Sequence, residues 1–200
     1  MTNATAFWGK DNVKCTADSG TTTVPGTCNG DGGGMIGGAG SAGATGELYR
    51  YWQQLALAGL IEGTYTGYAG PAAGADHVIG TNAPRSKMNN GGWGITNRAN
   101  YAGDAAIYAY DYGNMFMFGA QQSGNLPELN ITTPEETWNI DTKMDDGKPG
   151  SGKLMVRNWQ GSATGAWVGC GLASSNTDYT AAYALGSPHV GCVLYFPKVL

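Results

Sequence analysis

The sequence has little charge and few groups suited to acid–base chemistry. Among its 200 residues, Lys and Arg number 11, Asp and Glu number 15, and His numbers only 2. The basic residues are scattered and the formal net charge is -4, which argues against a nucleic-acid partner because phosphate binding needs clustered Lys and Arg. The two isolated histidines, His77 and His189, offer little general-base capacity. His77 follows Asp76 in an irregular region, which predicts a solvated loop histidine.

Several signatures of enzymes and membrane proteins are also missing. There is no G-x-S-x-G, no H-E-x-x-H and no P-loop, and the G-x-G-x-x-G match at Gly32–Gly37 follows no strand. We therefore predict no enzyme and no catalytic cofactor. A hydrolase with a carboxylate pair stays open, because two distant acids can meet in the fold. No apolar run approaches the ~20 residues that span a bilayer, and no export signal is present.

Glycine and the large aromatic residues are abundant. The chain has 34 Gly, 6 Trp and 11 Tyr, with only 13% charged residues. This composition differs from that of disordered proteins and is typical of a turn-rich body with much β-structure. The length of 200 residues suits a single domain over 1–200 with a core of its own.

The four cysteines form two local pairs. Cys15 lies near Cys28, and Cys170 lies near Cys192, with no C-x-x-C motif. An even number of cysteines without zinc-type spacing favours disulfides. Four cysteines allow three pairings, and we favour the two sequential ones because each closes a glycine-rich segment. Two disulfides would imply an oxidising compartment, whereas free or mixed thiols remain the alternative.

Two helices have clear sequence signals. The segment 47–62 carries an apolar stripe of Leu48, Tyr51, Trp52 and Leu55, which predicts a helix packed on the core. A second, shorter helix is predicted over 134–145. Its start has a Thr-x-x-Glu capping box, with Pro at the first position, and its end has the stop signals Gly147 and Pro149.

The remaining segments predict a sheet and irregular loops. Residues 1–46 read as an irregular, glycine-rich disulfide loop, and 64–104 as a long loop region. Within the sheet region 105–200, a hairpin is predicted over 105–121. Strands are predicted at 153–158, weakly at 166–168, and at 189–196, where a run that is apolar on both faces indicates a central or well-covered strand.

Tyrosine recurs at every second position in the first arm of the predicted hairpin. Tyr108, Tyr110 and Tyr112 alternate with other residues, which predicts a partly wet aromatic face. Such a face could pack between subunits or stack on sugars, although an ordinary half-buried sheet fits the pattern as well. A secreted carbohydrate-binding or adhesin module, using these tyrosines and Trp93, is therefore an alternative function.

The densest acids of the chain are Asp141, Asp145 and Asp146, at the end of the helix predicted over 134–145. Carboxylates are unfavourable near a helix carboxyl end, where the macrodipole is negative. A nearby lysine, Lys143 or Lys148, or a metal ion would relieve this. The three aspartates are therefore candidate calcium ligands, with a solvated or lysine-paired turn as the alternative.

Three segments together resemble bacterial type IV pilin-like proteins, the prepilin-type family that includes type II secretion pseudopilins. These segments are NATAFWG at 3–9, ELYRYWQQLALAGLIEGTYTG at 47–67 and NIDTKMDDGKPGSG at 139–152. A cysteine pair before a final apolar strand is also similar to this family. The family's apolar membrane helix is absent, and we expect the sequence to be the head domain that follows it.

The resemblance implies an α+β fold with amino-terminal helical segments packed on an antiparallel sheet. It implies a structural subunit of an extracellular or periplasmic filament that binds copies of itself and other pilin-like subunits. Such a subunit would be anchored in the inner membrane by the missing helix before assembly. Some pseudopilins hold calcium in an acidic loop, which adds to the interest of Asp141, Asp145 and Asp146.

Overall fold

The computed structural model describes most of the chain. The described residues are 2–10, 26–37, 46–72, 74–88, 90–99, 106–157 and 169–200. Their helices are α1 (Ala4–Trp8), α2 (Glu47–Leu57) and α3 (Pro134–Met144), and their strands are β1 (Gly91–Asn97), β2 (Asn114–Ala120), β3 (Met155–Arg157) and β4 (Val193–Phe196). Helices and an antiparallel sheet thus occur together, in agreement with the predicted α+β class.

The four strands form one antiparallel sheet in the order β1-β2-β4-β3. β4 pairs with β2 through Phe116 opposite Phe196, and with β3 through Met155 opposite Tyr195. The last strand is therefore internal to the sheet, as its two apolar faces predicted. Strand β3 lies inside the range 153–158 in which a strand was expected. The expected weak strand at 166–168 lies outside the described residues.

The hairpin predicted over 105–121 is wrong. Strand β2 pairs instead with β1, in a register that runs from Gly91 opposite Ala120 to Asn97 opposite Asn114. β1 lies within 64–104, where only loop was predicted. The prediction missed this strand because it contains three glycines, and glycine is uncommon in strands. The structure shows why glycine is needed there. A Cβ on Gly92 would come within 2.5 Å of the Ile79 side chain.

Helix α2 ends at Leu57 rather than at the predicted Glu62. Gly59 adopts the left-handed conformation, with φ +70°, immediately after the cap residue. Its N–H donates to Ala56 O at 2.9 Å, and the Leu60 N–H donates to Leu55 O at 2.9 Å. This pair of bonds is a Schellman motif, which satisfies the last carbonyls and stops the helix.

Helix α2 lies against the sheet through aromatic side chains. Trp52 stacks on Phe116 of β2, with ring centroids 5.7 Å apart and an interplanar angle of 25°. Ile95 of β1 is fully buried in the same cluster. Part of the predicted stripe is core, since Leu48 and Trp52 are buried, whereas Tyr51 and Leu55 are only partly buried.

Two of the three tyrosines expected on a partly wet face belong to the core. Tyr108 and Tyr112 are fully buried, so the prediction is wrong for them, whereas Tyr110 is only partly buried. The Tyr112 hydroxyl donates to Tyr108 O at 3.1 Å, and the Tyr112 ring meets Tyr195 edge-on. The alternating pattern did not predict this burial, because the segment forms isolated bridges and not a strand. Its rings pack on the sheet.

A buried ion pair joins the residue that follows β1 to the segment before α3. Arg98 Nη2 forms a salt bridge with Glu128 Oε1, and both side chains are largely buried. The Arg98 guanidinium also lies 6.0 Å above the ring centroid of Tyr195. Arg157 of β3 donates from Nη1 to the Glu128 carbonyl at 3.4 Å. Charged groups therefore stabilise a junction between three parts of the chain.

One predicted disulfide is observed. Cys170 and Cys192 are bonded, with their Cα atoms 4.8 Å apart, and both residues are fully buried. The bond joins the region that precedes the last loop to the start of β4. The other predicted pairing, Cys15 with Cys28, involves a cysteine outside the described residues and stays a prediction.

Candidate metal centre

Helix α3 is fixed at its start by the capping box that the sequence predicts. The Glu136 N–H donates to Thr133 Oγ1 at 3.2 Å, and the Thr133 N–H donates to Glu136 Oε2 at 2.8 Å. Pro134 occupies the first turn, where its missing N–H has no consequence. These contacts set the register of the helix, which turns Thr137 and Asp141 into the protein. The helix predicted over 134–145 is observed as Pro134–Met144.

Asp141 is a buried acid, and only one of its two carboxylate oxygens has a hydrogen-bond partner among the described residues. The residue is 0% exposed, and its Oδ2 accepts a 2.8 Å hydrogen bond from the Tyr183 hydroxyl. Its Oδ1 is buried and accepts no hydrogen bond from any residue that the structure describes. A buried carboxylate oxygen without a partner is costly, so its presence points to a ligand that completes it.

The other two predicted acids lie beside it. Asp145 and Asp146 belong to the turn that follows α3, where Asp145 is partly exposed and Asp146 is exposed. The Lys153 N–H donates to Asp145 Oδ2, the Lys148 N–H donates to Asp146 Oδ1 at 2.9 Å, and the Ser151 hydroxyl donates to Asp146 Oδ2 at 2.6 Å. The turn thus holds both carboxylates in place. Oxygen atoms of Asp141, Asp145 and Asp146 all lie within 4.8 Å of one another.

The electrostatics of the cluster favour a cation. Burial raises the pKa of Asp141 to about 6, because the charged carboxylate loses hydration. The Tyr183 hydroxyl, and to a smaller extent the Gly147 N–H, lower the pKa and offset part of this rise. The negative charges of Asp146 and Asp145 raise it further. The end of α3 adds its own negative pole at the same place.

The lysine-paired alternative is not what the structure shows. Among the described residues, no ammonium group of Lys143, Lys148 or Lys153 lies within 4.0 Å of a carboxylate oxygen. Lys148 and Lys153 contact the cluster through their backbone N–H groups instead. Among the described residues, the hydrogen-bond donors to the three carboxylates are backbone N–H groups and the hydroxyls of Ser151 and Tyr183.

The donor set fits calcium. Calcium takes oxygen ligands at 2.3–2.6 Å, so two oxygens on opposite sides of one ion lie roughly 4.6–5.2 Å apart. One oxygen from each of the three carboxylates lies within 4.8 Å of the others, which is close enough for all three to reach a single ion. Zinc favours nitrogen and sulfur ligands, which the cluster does not offer. Asp141, Asp145 and Asp146 would hold the ion, and turn carbonyls or water would complete its shell.

Replacing Gly152 by Ala should disrupt the turn. Gly152 has φ +88°, and a Cβ there would overlap the Asp145 carboxylate. We expect the substitution to destabilise the protein by about 2 kcal/mol and to weaken any calcium binding, because Asp145 must move. Urea denaturation with and without calcium measures both effects. Gly186→Ala is the control, since a Cβ on Gly186 meets nothing within 4 Å; an equal loss in both variants would contradict this reasoning.

Comparison with known proteins gives this cluster no precedent. No family model, no curated protein and no solved structure matches the chain. Within the described stretches, no helix has the length and apolar character needed to cross a membrane. The assignment of the site therefore rests on its own geometry and on the sequence resemblance.

The structure places His77 in the core, so the prediction of a solvated loop histidine is wrong. Its side chain is 0% exposed and packs on Tyr49 of α2, with ring centroids 4.8 Å apart. Nδ1–H donates to Ala75 O at 2.8 Å, and the backbone N–H donates to Asn125 O at 3.0 Å. The local sequence contains no signal for this burial, because the contacts come from residues distant in the chain.

The protein should lose stability in mild acid because of His77. Burial lowers its pKa below the usual 6.5, although the Ala75 carbonyl and Asp76 oppose that shift. Below about pH 6.5, the unfolded chain therefore binds a proton that the folded protein does not. As the pH is lowered through this range, the free energy of unfolding decreases by up to about 1.4 kcal/mol per pH unit. Urea denaturation from pH 7.5 to 5 should show a shallower loss for His77→Gln. The exposed His189→Gln should behave as wild type; a shallower loss there would refute the assignment.

Sequence reasoning missed a cavity of about 400 Å³ beside α2. Its helical wall is formed by Glu47, Arg50, Tyr51, Gln54, Leu55 and Ala58. These positions recur every three or four residues, which is the spacing of one helix face. Tyr51 and Leu55 belong to the stripe that was expected to pack on the core, whereas in the structure they line the cavity.

Proposed function

We propose that this chain is the head of a structural, non-enzymatic subunit of a bacterial type IV pilus or pseudopilus-like extracellular filament. Such a subunit acts by self-assembly and surface contacts. Its partners are copies of itself and other pilin-like subunits. A membrane helix preceding the head would anchor the subunit in the inner membrane before assembly, and the assembled filament would lie in the periplasm or outside the cell.

The observation that most supports this proposal lies in the segment 139–152, which carries part of the resemblance. One carboxylate oxygen from each of its three acids lies within 4.8 Å of the others beside a helix end, and the buried Asp141 has an oxygen, Oδ1, that accepts no hydrogen bond from a described residue. We propose that Asp141, Asp145 and Asp146 bind calcium there. The ion would neutralise the cluster and lock the turn to α3, which is a structural role rather than a catalytic one.

Two further features support the same proposal. The segment 47–67 begins with α2, which packs on the antiparallel sheet through Trp52. The disulfide Cys170–Cys192 ends directly before the final strand, Val193–Phe196. The sugar-binding alternative keeps only part of its surface, because Tyr108 and Tyr112 are fully buried while Tyr110 and Trp93 are partly buried.

The filament proposal is tested in a bacterium that carries the gene. Filaments sheared from the cell surface, and those purified after overproduction of a secretion pseudopilus, are analysed by mass spectrometry. We expect the protein in one of these fractions, and its loss from both when the prepilin peptidase is deleted. Recovery of the protein only as a soluble secreted monomer would contradict the proposal, and binding on a glycan array would then favour the adhesin alternative.

A further inference from the structure

The loop that carries the disulfide also contacts the acidic cluster. Tyr183 lies in the described stretch 169–200, between Cys170 and Cys192, and is 3% exposed. Its hydroxyl donates to Asp141 Oδ2 at 2.8 Å, whereas Asp141 Oδ1 accepts no hydrogen bond from any described residue. The Asp141 carboxylate is thus joined to the loop through Oδ2 alone.

Backbone hydrogen bonds place Tyr183 beside Cys170, one of the two cysteines of the disulfide. Gly171, the residue after Cys170, forms an antiparallel bridge with Tyr183. The Ala184 N–H donates to Cys170 O at 3.0 Å, and the Leu172 N–H donates to Ala182 O at 2.9 Å. Tyr183 is therefore held one hydrogen-bonded pair away from a cysteine of the disulfide.

Cys192, the other cysteine of the disulfide, is connected to α3, the helix that carries Asp141. The Cys192 N–H donates to Thr132 O at 3.0 Å, and Ile131 donates to Cys192 O at 2.8 Å. The Thr132 and Thr137 hydroxyls are hydrogen-bonded at 2.7 Å, and Thr137 lies on α3 one turn before Asp141. Contacts therefore run from α3 through Thr132, the disulfide and Tyr183 back to α3.

We propose that calcium at the acidic cluster and the Cys170–Cys192 disulfide stabilise one another, with Tyr183 as the positioning residue that couples them. This inference rests on the proposed calcium site. When the disulfide is intact, the Tyr183 hydroxyl is already in place to orient Asp141 towards the ion. When the disulfide is open, the loop must be ordered as calcium binds, and affinity falls.

The coupling is reciprocal. If the disulfide increases calcium affinity by some factor, calcium must shift the disulfide equilibrium by the same factor. In that equilibrium, dithiothreitol reduces the Cys170–Cys192 bond to two thiols and becomes its own cyclic disulfide, so two electrons and two protons pass from the reductant to the protein. We expect a factor of about ten, since outer-shell partners of metal ligands typically contribute 10–100-fold.

Calcium affinity is measured first by titrating calcium chloride into the purified protein and four variants. The variants are Tyr183→Phe, Tyr179→Phe, the pair Cys170→Ala with Cys192→Ala, and Asp141→Asn. Tyr179 is the matched control, because this loop tyrosine donates to Ala109 O and not to the cluster. We expect about tenfold weaker binding for Tyr183→Phe and for the double cysteine variant, and unchanged binding for Tyr179→Phe.

The second measurement uses only the wild-type protein. It therefore tests the coupling between calcium and the disulfide even if the double cysteine variant does not fold. Wild-type protein is equilibrated with reduced and oxidised dithiothreitol, with and without calcium. Differential alkylation and mass spectrometry then report the state of Cys170 and Cys192. Calcium should shift their equilibrium about tenfold towards the disulfide. If wild type binds no calcium, the proposed metal centre fails; if it binds but neither Tyr183→Phe nor the redox equilibrium responds, the coupling alone is overturned.

Discussion

Replacing Asp141 by Asn is expected to abolish calcium-dependent stabilisation and, without calcium, to make the protein more stable. In wild type, calcium at 100 times its dissociation constant should add about 2.7 kcal/mol to the free energy of unfolding. Asp141→Asn removes the buried ligand oxygen, so calcium should add almost nothing. Without calcium, the free energy of unfolding should increase because the variant no longer buries the Asp141 carboxylate, whose pKa is raised to about 6 in the folded protein. After allowance for screening we expect roughly 1 kcal/mol at pH 7.5.

The pH dependence separates this explanation from a general effect of the substitution. The Asp141 pKa is about 6 in the folded protein and 3.8 as the unperturbed value, so the folded state binds more protons between these limits. Its contribution to stability is complete below pH 3.8 and is lost as the pH rises through 6. Without calcium, wild type should lose this stability on that rise and Asp141→Asn should not. Calcium binding should strengthen over the same range.

The control for Asp141→Asn is Asp111→Asn, which removes an exposed turn carboxylate outside the cluster. Asp111 accepts a hydrogen bond from the Gly113 N–H and has no contact with the metal centre. Its substitution should leave the calcium effect intact. Thermal and urea denaturation with calcium chloride or a chelator report both variants. Equal calcium stabilisation in Asp141→Asn and wild type would show that Asp141 is not a ligand.

Replacing Glu128 by Gln should destabilise the protein by about 3–5 kcal/mol. Glu128 is 6% exposed and forms the salt bridge with the largely buried Arg98. The substitution removes the carboxylate charge and leaves the guanidinium in the same low-dielectric environment. Urea denaturation measures the loss. Glu62→Gln is the matched control, because Glu62 is exposed and its change should stay within about 0.5 kcal/mol.

A double substitution isolates the pair itself. Arg98→Met with Glu128→Leu removes both charges and keeps much of the side-chain volume. Apolar replacements of a buried ion pair are often close to neutral, so the double variant should be more stable than Glu128→Gln. A double-mutant cycle should then give a coupling of at least 1 kcal/mol. Additive losses would mean that the salt bridge does not carry the stability assigned to it.

The parts of the fold that sequence reasoning located correctly have local causes. The start of α3 is fixed by Thr133, Pro134 and Glu136, which act within one helical turn. The acidic turn follows directly, so Asp145 and Asp146 necessarily lie near Asp141. The central position of β4 follows from side chains that are apolar on both faces. Signals of this kind need no knowledge of the rest of the chain.

The parts that sequence reasoning placed wrongly depend on contacts between distant residues. β1 pairs with β2 although it is rich in glycine, because Ile79 and Pro127 pack where side chains on Gly92 and Gly94 would stand. Tyr108 is buried by the sheet, and His77 by Tyr49 of α2. Neither burial has a signature in the neighbouring sequence.

Local sequence was enough to predict that Asp141, Asp145 and Asp146 lie at the end of a capped helix and in the turn that follows it, because helical spacing and the Gly/Pro stop signals act within a few residues. The burial of Asp141, the hydrogen bond from Tyr183 to its Oδ2, and the lack of one from any described residue to its Oδ1 follow from packing between distant segments. The physical reason is that spacing along the chain fixes neighbours within a turn or two. Desolvation of a carboxylate, in contrast, depends on whichever distant segments pack over it, here the loop closed by Cys170 and Cys192.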